Sequence, residues 1–96
     1  MSRRPRFTFM LFIAGNSPNS VLAINNLAAM CRDHLADRYE ITIVDVFREP
    51  KRALEEGIFL TPTLVALTPP PVRRIVGTLS QLQSVLRTLG LIDTAA

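Results

Sequence analysis

Two short apolar segments flank one long amphipathic segment in the first half of the chain, and this order restricts the possible folds more than any other feature. Residues 6–13 (RFTFMLFI) and 40–47 (EITIVDVF) are rich in β-branched and aromatic residues, which predicts two strands. Ser17-Pro18 is typical of a helix start, because serine can cap unpaired N–H groups and proline lacks one. The three segments predict a β-α-β unit with parallel strands. The predicted inward stripe of the helix is Val21, Ile24, Leu27, Ala28, Cys31 and Leu35.

The second half of the chain carries shorter and weaker patterns. Residues 48–60 predict a short helix that stops at Gly57, since glycine readily follows a helix C-terminus. Residues 64–67 and 72–76 predict an antiparallel hairpin, and the triple proline between them belongs to a connection or an edge because proline cannot donate to a ladder. Ser80, with a glutamine three residues later, matches a capping box for a last helix. The residues expected to face inward on that helix are Leu79, Leu82, Val85, Leu86 and Leu89.

Chain length and cysteine content limit the chemistry. The predicted order is β-α-β-α-β-β-α in one α/β domain of 96 residues, and we expect disorder at residues 1–5 and fraying at residues 93–96. The single cysteine, Cys31, excludes an internal disulfide, a CxxC redox pair and a cysteine-rich zinc site. Together with the lack of a recognisable signal peptide, it indicates a reducing cytoplasm. No apolar run reaches the ~18 residues that span a membrane.

Arginine dominates the basic residues: ten are arginine and one is lysine, with a net charge of +3. Arginine suits carboxylates, protein interfaces and phosphates alike. Because no nucleic-acid-binding motif accompanies it, we do not expect a nucleic-acid partner. Arg73 and Arg74 point to opposite faces if they lie in a strand. They either protect an exposed edge strand or contact a partner, in which case alanine at either position leaves the melting temperature nearly unchanged.

The predicted element order resembles that of thioredoxins. In those proteins the redox centre follows the first strand, where this chain reads AGNSPNS over residues 14–20 and has no thiol. Disulfide exchange needs an attacking thiolate, whereas Cys31 lies on the apolar helix stripe, where burial raises the pKa of a thiol. We therefore expect the fold without the oxidoreductase chemistry; the alternative is a degenerate oxidoreductase or chaperone that uses Cys31. The resemblance further implies a cis proline at Pro62.

Four segments of the sequence, taken in order, resemble the KaiB family. They are AGNSPNS at 14–20, VDV at 44–46, TPTL at 61–64 and PPPVRRIVG at 69–77, and the likeness extends over residues 7–91. The resemblance implies a non-enzymatic clock protein without a cofactor, which docks on a KaiC-type ATPase. It also implies KaiA or a clock histidine kinase as further partners, and self-assembly into a dimer or tetramer.

The same resemblance indicates roles for particular residues. Arg73 and Arg74 are expected to bind a partner, and the single tyrosine, Tyr39, suits the same kind of interface. Asp45 is expected to make structural hydrogen bonds, since no nucleophile or second carboxylate accompanies it. The residues expected to hold turns or to take part in fold switching are Asn16, Pro18, Pro62, Pro69, Pro70, Pro71 and Gly77.

The resemblance also implies a second fold, in which the order becomes β-α-β-β-α-α-β. Beyond Phe47 no segment is strongly committed to helix or strand, and slow isomerisation of the triple proline would separate two forms in time. Several departures from the clock members leave a circadian and a stress-related role both open, and the sensor portion of a histidine kinase is a third interpretation. On the helix–strand surface that faces KaiC in clock members, the positions that tend to carry lysine are here Leu22, Thr42, Gly57 and Ala66.

Overall fold

The structure, a computed structural model, describes residues 5–93 and contains seven elements in the predicted order. The predicted disorder at residues 1–5 and fraying at residues 93–96 fall almost wholly outside the described residues. The elements are β1 (Phe7–Ile13), α1 (Pro18–His34), β2 (Tyr39–Asp45), α2 (Pro50–Glu55), β3 (Thr63–Thr68), β4 (Arg73–Val76) and α3 (Leu82–Thr88).

The four strands form one sheet in the order β2-β1-β3-β4. β1 pairs in parallel with β2, and α1 is the crossover between them, which confirms the predicted β-α-β unit. β3 runs antiparallel to β1 and β4 runs antiparallel to β3, which confirms the hairpin. β1 is central and buried on both faces, because its residues are apolar on both sides.

The sheet has two ends that differ in composition. At one end β1 and β2 finish and β3 begins, next to Pro62; we name this the Pro62 end. At the other end β3 finishes and β4 begins, on either side of the triple proline; we name this the Pro69 end. The triple proline is therefore a connection outside the ladder, as predicted.

Helices cover both faces of the sheet. α1 and α3 pack on one of them, the α1/α3 face, around Phe9 and Leu64. α2 packs on the other, the α2 face, over Phe12 and Val65. Because α2 has only six residues, the cluster of buried residues beneath it is the smaller of the two.

The inward stripe of α1 differs from the predicted one, since Val21 and Ala28 are exposed. The reason lies in the first turn, where the Ser20 hydroxyl accepts from Ala14 N at 3.0 Å and from the Ser17 hydroxyl at 2.8 Å. These bonds direct Ser20 toward the sheet. Because the helix has a fixed 3.6-residue period, the orientation of Ser20 also determines which later residues of α1 face the sheet. The buried residues of α1 are Ser20, Ala23, Leu27, Met30 and Cys31.

The start of α3 also differs from the prediction. α3 begins at Leu82 without a capping side chain, so the capping-box interpretation of Ser80 is wrong. Ser80 instead lies 2.7 Å from the Thr78 hydroxyl and accepts from Asn26 Nδ2 of α1 at 3.3 Å. Leu79 has a left-handed φ of 63° and is buried ahead of the helix. A left-handed residue cannot continue a right-handed helix, so the helix starts after it.

Candidate functional site

Several loops meet at the Pro62 end, the position at which the resemblance places the redox centre of thioredoxins. Asp45 joins the loops that follow β1 and β2, because its Oδ1 accepts from Gly15 N at 3.1 Å and from Phe47 N at 3.0 Å. Gly77 N donates to Pro62 O at 2.9 Å, which joins the end of β4 to the loop before β3. Asp45 therefore makes the structural hydrogen bonds that the sequence predicted.

The loop after β1 is a turn into a capped helix. Gly15 has a left-handed φ of 56° and Asn16 is exposed. The Ser17 hydroxyl accepts from Ser20 N as the N-cap of α1, and Pro18 is the first helical residue, where its missing N–H costs nothing. This loop has no thiol, carboxylate or imidazole, and both serine hydroxyls are engaged at the helix start. It therefore supplies no activated nucleophile.

Cys31 is fully buried in α1 against the sheet. Burial raises the pKa of its thiol from 9.0 to about 12, so the thiolate is scarce at neutral pH. The predicted burial and raised pKa of this cysteine are confirmed. Since it is the single cysteine of the chain, the oxidoreductase interpretation has no accessible thiol.

A small apolar cleft opens on the α2 face beside Pro62, whose peptide bond with Thr61 is cis, as the resemblance implied. The cleft has a volume of about 140 Å³. Phe59 is 87% exposed at its rim, and Leu60 and Val76 are exposed beside it. Scattered apolar side chains on a surface are ordinary, but several around one cleft make it a candidate contact site for another molecule. The lining of this site, the Phe59 cleft, is Gly57, Ile58, Phe59, Leu60, Thr63, Arg74 and Val76.

Arg74 forms the charged wall of the Phe59 cleft. Its guanidinium donates to Glu56 O and Gly57 O at the C-terminal end of α2. That end of a helix carries a partial negative charge, so the contact is favourable. No carboxylate of residues 5–93 lies within 4.0 Å of the guanidinium, which leaves its charge available to an acidic group of a partner.

Arg73 points to the other face of the sheet, which confirms the alternation predicted for the two arginines. Its guanidinium donates to Thr88 O at 3.1 Å, at the end of α3. It also donates to Pro69 O at 2.9 Å and to Pro71 O at 3.0 Å, and both of these prolines follow cis peptide bonds. Adjacent arginines thus bind β4 to two different helices.

The three residues predicted to bind a partner do not form one site. Tyr39 begins β2 at the Pro69 end and is half-buried against the α1/α3 core. β2 and β4 are the two edges of the sheet, so three strand spacings, about 14 Å across the sheet, separate the strands of Tyr39 and Arg73. Arg74 is separate from both, because it belongs to the Phe59 cleft on the α2 face.

Sequence reasoning missed the apolar rim of this cleft. It gave no role to Phe59 and Leu60, which follow the predicted helix stop at Gly57, and the one available signal was the run of three apolar residues at 58–60 directly after that glycine. Within the described part of the chain, no three histidine, cysteine, aspartate or glutamate side chains are placed to hold a metal ion. No helix among residues 5–93 is long and apolar enough to cross a membrane.

Solved structures of the same fold include thioredoxins. Chloroplastic thioredoxin z superimposes with a TM-score of 0.75 at 20% identity, over 92% of this chain and 80% of its own. The N-terminal domain of SasA from Synechococcus elongatus superimposes with a TM-score of 0.73 at 15% identity, over 100% of this chain and 94% of that domain. The fold and the site therefore define a thioredoxin-like protein that has no thiol at the redox position.

Sequence comparisons narrow this class to one family. The KaiB domain model matches residues 10–91. The circadian clock protein KaiB3 of Synechocystis sp. is 42% identical over 87 residues, which cover 91% of this chain and 85% of that protein. The circadian clock oscillator protein KaiB of Prochlorococcus marinus is 40% identical over 92 residues, 96% of this chain and 88% of its own. The chain belongs to the KaiB family, as its motifs implied.

Proposed function

We propose that this protein regulates a Kai clock, or a related timing or stress-response system, by docking on a KaiC-type ATPase. Its family supports the clock assignment, because relatives at 42% and 40% identity are circadian clock proteins. The observation that carries the docking mechanism is the Phe59 ring, 87% exposed beside Arg74. The buried thiol of Cys31 further favours binding over catalysis.

The side chains of the Phe59 cleft contribute to affinity and to orientation. Burial of the Phe59 ring in a partner contributes about 1.5–3 kcal/mol, and the exposed Leu60 and Val76 enlarge the apolar contact. The Arg74 guanidinium is already held on the end of α2, so it pairs with a carboxylate in a defined geometry. We expect the matching surface of the ATPase to be an apolar pocket with an acidic residue at its rim.

Further partners belong to the same proposal. Once bound to the ATPase, the protein recruits KaiA or competes with a clock histidine kinase for the same surface of the ATPase, as the family resemblance implies. The protein also associates with copies of itself into a dimer or tetramer, for which its exposed apolar side chains give a physical basis. It works in the cytoplasm and needs no cofactor, because ATP is bound by the ATPase.

Binding measurements with the cognate KaiC-type ATPase and ATP test the proposal, by size-exclusion chromatography and biolayer interferometry. We expect Phe59→Ala to weaken the complex at least about tenfold, because a ring at the centre of an interface carries much of the binding energy. Leu82→Ala is the matched control, since Leu82 is an exposed apolar residue of α3, on the opposite face of the sheet from the cleft. We expect this control to change the affinity by less than about twofold.

Two results would reject the proposed docking surface or the proposed partner. Equal losses for Phe59→Ala and Leu82→Ala would show that the Phe59 cleft has no special part in binding. A wild-type protein that forms no complex with the ATPase in the presence or absence of ATP would reject the partner. Circular dichroism of each variant establishes that a loss of binding is not a loss of fold.

A further inference from the structure

A second and larger groove lies at the Pro69 end, on the opposite face from the Phe59 cleft. It has a volume of about 570 Å³ and lies between the start of β1, the end of α1, the proline connection and the end of α3. We name it the Pro69 groove. Among its lining residues are the basic side chains of Arg38, Arg73 and His34 and the apolar side chains of Phe7, Leu89 and Leu91.

The arginines of the Pro69 groove are held by carbonyl oxygens rather than by carboxylates. Arg38 Nη1 donates to Pro5 O at 3.0 Å, and Arg73 donates only to backbone carbonyls. Neither guanidinium has a carboxylate within 4.0 Å among residues 5–93. Neither positive charge is therefore neutralised by a described carboxylate, and both guanidinium groups keep unused N–H donors. Of the arginines that the structure describes, those that pair with carboxylates are Arg32, Arg48 and Arg52.

The apolar part of the groove indicates which anion it accommodates. Phe7 and Leu89 are buried at its base, so the lining of the groove offers no exposed aromatic ring that could stack on a nucleic-acid base. His34 and Gly90 are exposed at its rim, which leaves the groove open to solvent. An open groove fits an extended chain better than a small molecule, which needs an enclosing pocket.

We propose that the Pro69 groove binds an acidic, extended segment of a partner polypeptide. Carboxylates of the segment pair with Arg38 and Arg73, and a neighbouring apolar side chain packs on Leu91. Arg73 is already immobilised by α3 and the proline connection, so little side-chain entropy is lost on binding. This inference goes beyond docking on the ATPase, because the groove and the Phe59 cleft lie on opposite faces and at opposite ends of the sheet.

Fluorescence anisotropy with the whole chain and a fluorescein-labelled peptide of glutamate, leucine and glycine tests the inference. We expect Arg38→Gln to weaken binding at least about fivefold, because the groove loses one of its two permanent charges. Arg48→Gln removes the same charge at the Pro62 end, where Arg48 pairs loosely with Asp45, and is expected to change affinity by less than about twofold. A peptide with glutamine in place of glutamate should not bind.

Several results would overturn the inference. Equal losses for Arg38→Gln and Arg48→Gln, or equal binding of the glutamate and glutamine peptides, would show that the groove does not recognise carboxylates. Absence of any binding of the glutamate peptide to the wild-type protein would also overturn the inference. Tighter Arg38-dependent binding of a labelled oligothymidylate would assign the groove to nucleic acid, and displacement of the peptide by an equal concentration of citrate would assign it to small anions. None of these results decides whether the protein docks on the ATPase, which the Phe59→Ala experiment tests separately.

Discussion

Arg73 and Arg74 are neighbours in β4, yet each stabilises a different helix. Arg73 binds the last turn of α3 and the proline connection, whereas Arg74 binds the end of α2. From the sequence alone, we expected little effect of alanine on the melting temperature if these residues contact a partner. Their bonds to backbone carbonyls change that expectation, because a residue can support the fold and still present its charge.

We predict that Arg73→Ala lowers the free energy of unfolding by about 1–3 kcal/mol, because three carbonyl groups lose their donor. Arg74→Ala costs less, about 1 kcal/mol, since its acceptors at the end of α2 are open to water. Urea denaturation measures both. Arg48→Ala is the control, because that side chain is largely exposed and its ion pair is long at 3.9 Å. A midpoint for Arg73→Ala equal to that of the control would show that the carbonyl contacts contribute nothing.

The thiol of Cys31 makes stability depend on pH. Its pKa is raised from 9.0 to about 12 by burial, so the folded state keeps a proton that the unfolded state releases. This contribution to stability is fully present below pH 9.0 and is lost as the pH rises toward about 12. We predict that Cys31→Ala removes this decline, although it lowers stability at neutral pH through lost packing. If the urea midpoints of the wild type and of Cys31→Ala changed in parallel over this pH range, the decline would not come from the Cys31 thiol.

The same burial predicts that the protein does not reduce disulfides. In an insulin-reduction assay, we expect the wild type and Cys31→Ser alike to give the background rate, because no thiolate is accessible. Turnover that disappears in Cys31→Ser would reinstate the oxidoreductase interpretation.

Single residues were predictable where neighbours in the sequence determine their environment. The cap at Ser17 and the first helical position of Pro18 follow from local chemistry, and both are confirmed. The inward position of Ser20 was not predictable, because a serine is expected on the polar side of a helix. Its bond to Ala14 N exists only once β1 and α1 are folded together.

At the scale of elements, apolar periodicity was sufficient to predict every strand and helix and their order. β1 is apolar on both sides, which requires a sheet that is covered on both faces. The long amphipathic α1 that follows it is then most easily accommodated as the crossover to a parallel strand. The start of α3 was not predictable, because it depends on the left-handed backbone of Leu79. The Phe59 cleft was missed for a related reason: β4 brings Val76 beside Leu60 only after the sheet has formed.

The connection between β1 and α1 gives a prediction at this scale. We expect Ser20→Ala to destabilise the protein by about 1–3 kcal/mol, because the part-buried Ala14 N–H loses its acceptor. Asn19→Ala, at the exposed neighbouring position, is the control, with a change below about 0.5 kcal/mol. Thermal denaturation measures the difference, since a domain of this size shifts by about 4–8 °C per kcal/mol. Equal melting temperatures would show that the hydroxyl has no part in holding the connection.

Across the whole molecule, local stability is expected to be uneven. β1 has a partner on each side and pairs with β2 at seven positions, whereas β4 pairs at four positions on one side only. α2 has six residues and covers the smaller core. The weakly supported elements therefore lie beyond Phe47, where the sequence is least committed and where the family resemblance implies a rearranged second fold.

Hydrogen exchange detected by mass spectrometry tests this difference. After correction for intrinsic rates, we predict that amides of β4 and α2 exchange at least about tenfold faster than those of β1, because they open without global unfolding. Uniform protection across these elements, together with a single set of NMR peaks, would argue against a second fold in this chain.

Two consecutive positions of β4 line the two proposed binding surfaces, since Arg74 belongs to the Phe59 cleft and Arg73 to the Pro69 groove. Their Cα atoms are about 3.8 Å apart, so a ligand that shifts the strand on one face also moves a lining residue on the other. Coupling between the two surfaces through β4 therefore does not depend on the hydrophobic core. Thermodynamic linkage makes it reciprocal: by whatever factor an acidic segment alters the affinity for the ATPase, the ATPase alters the affinity for the segment.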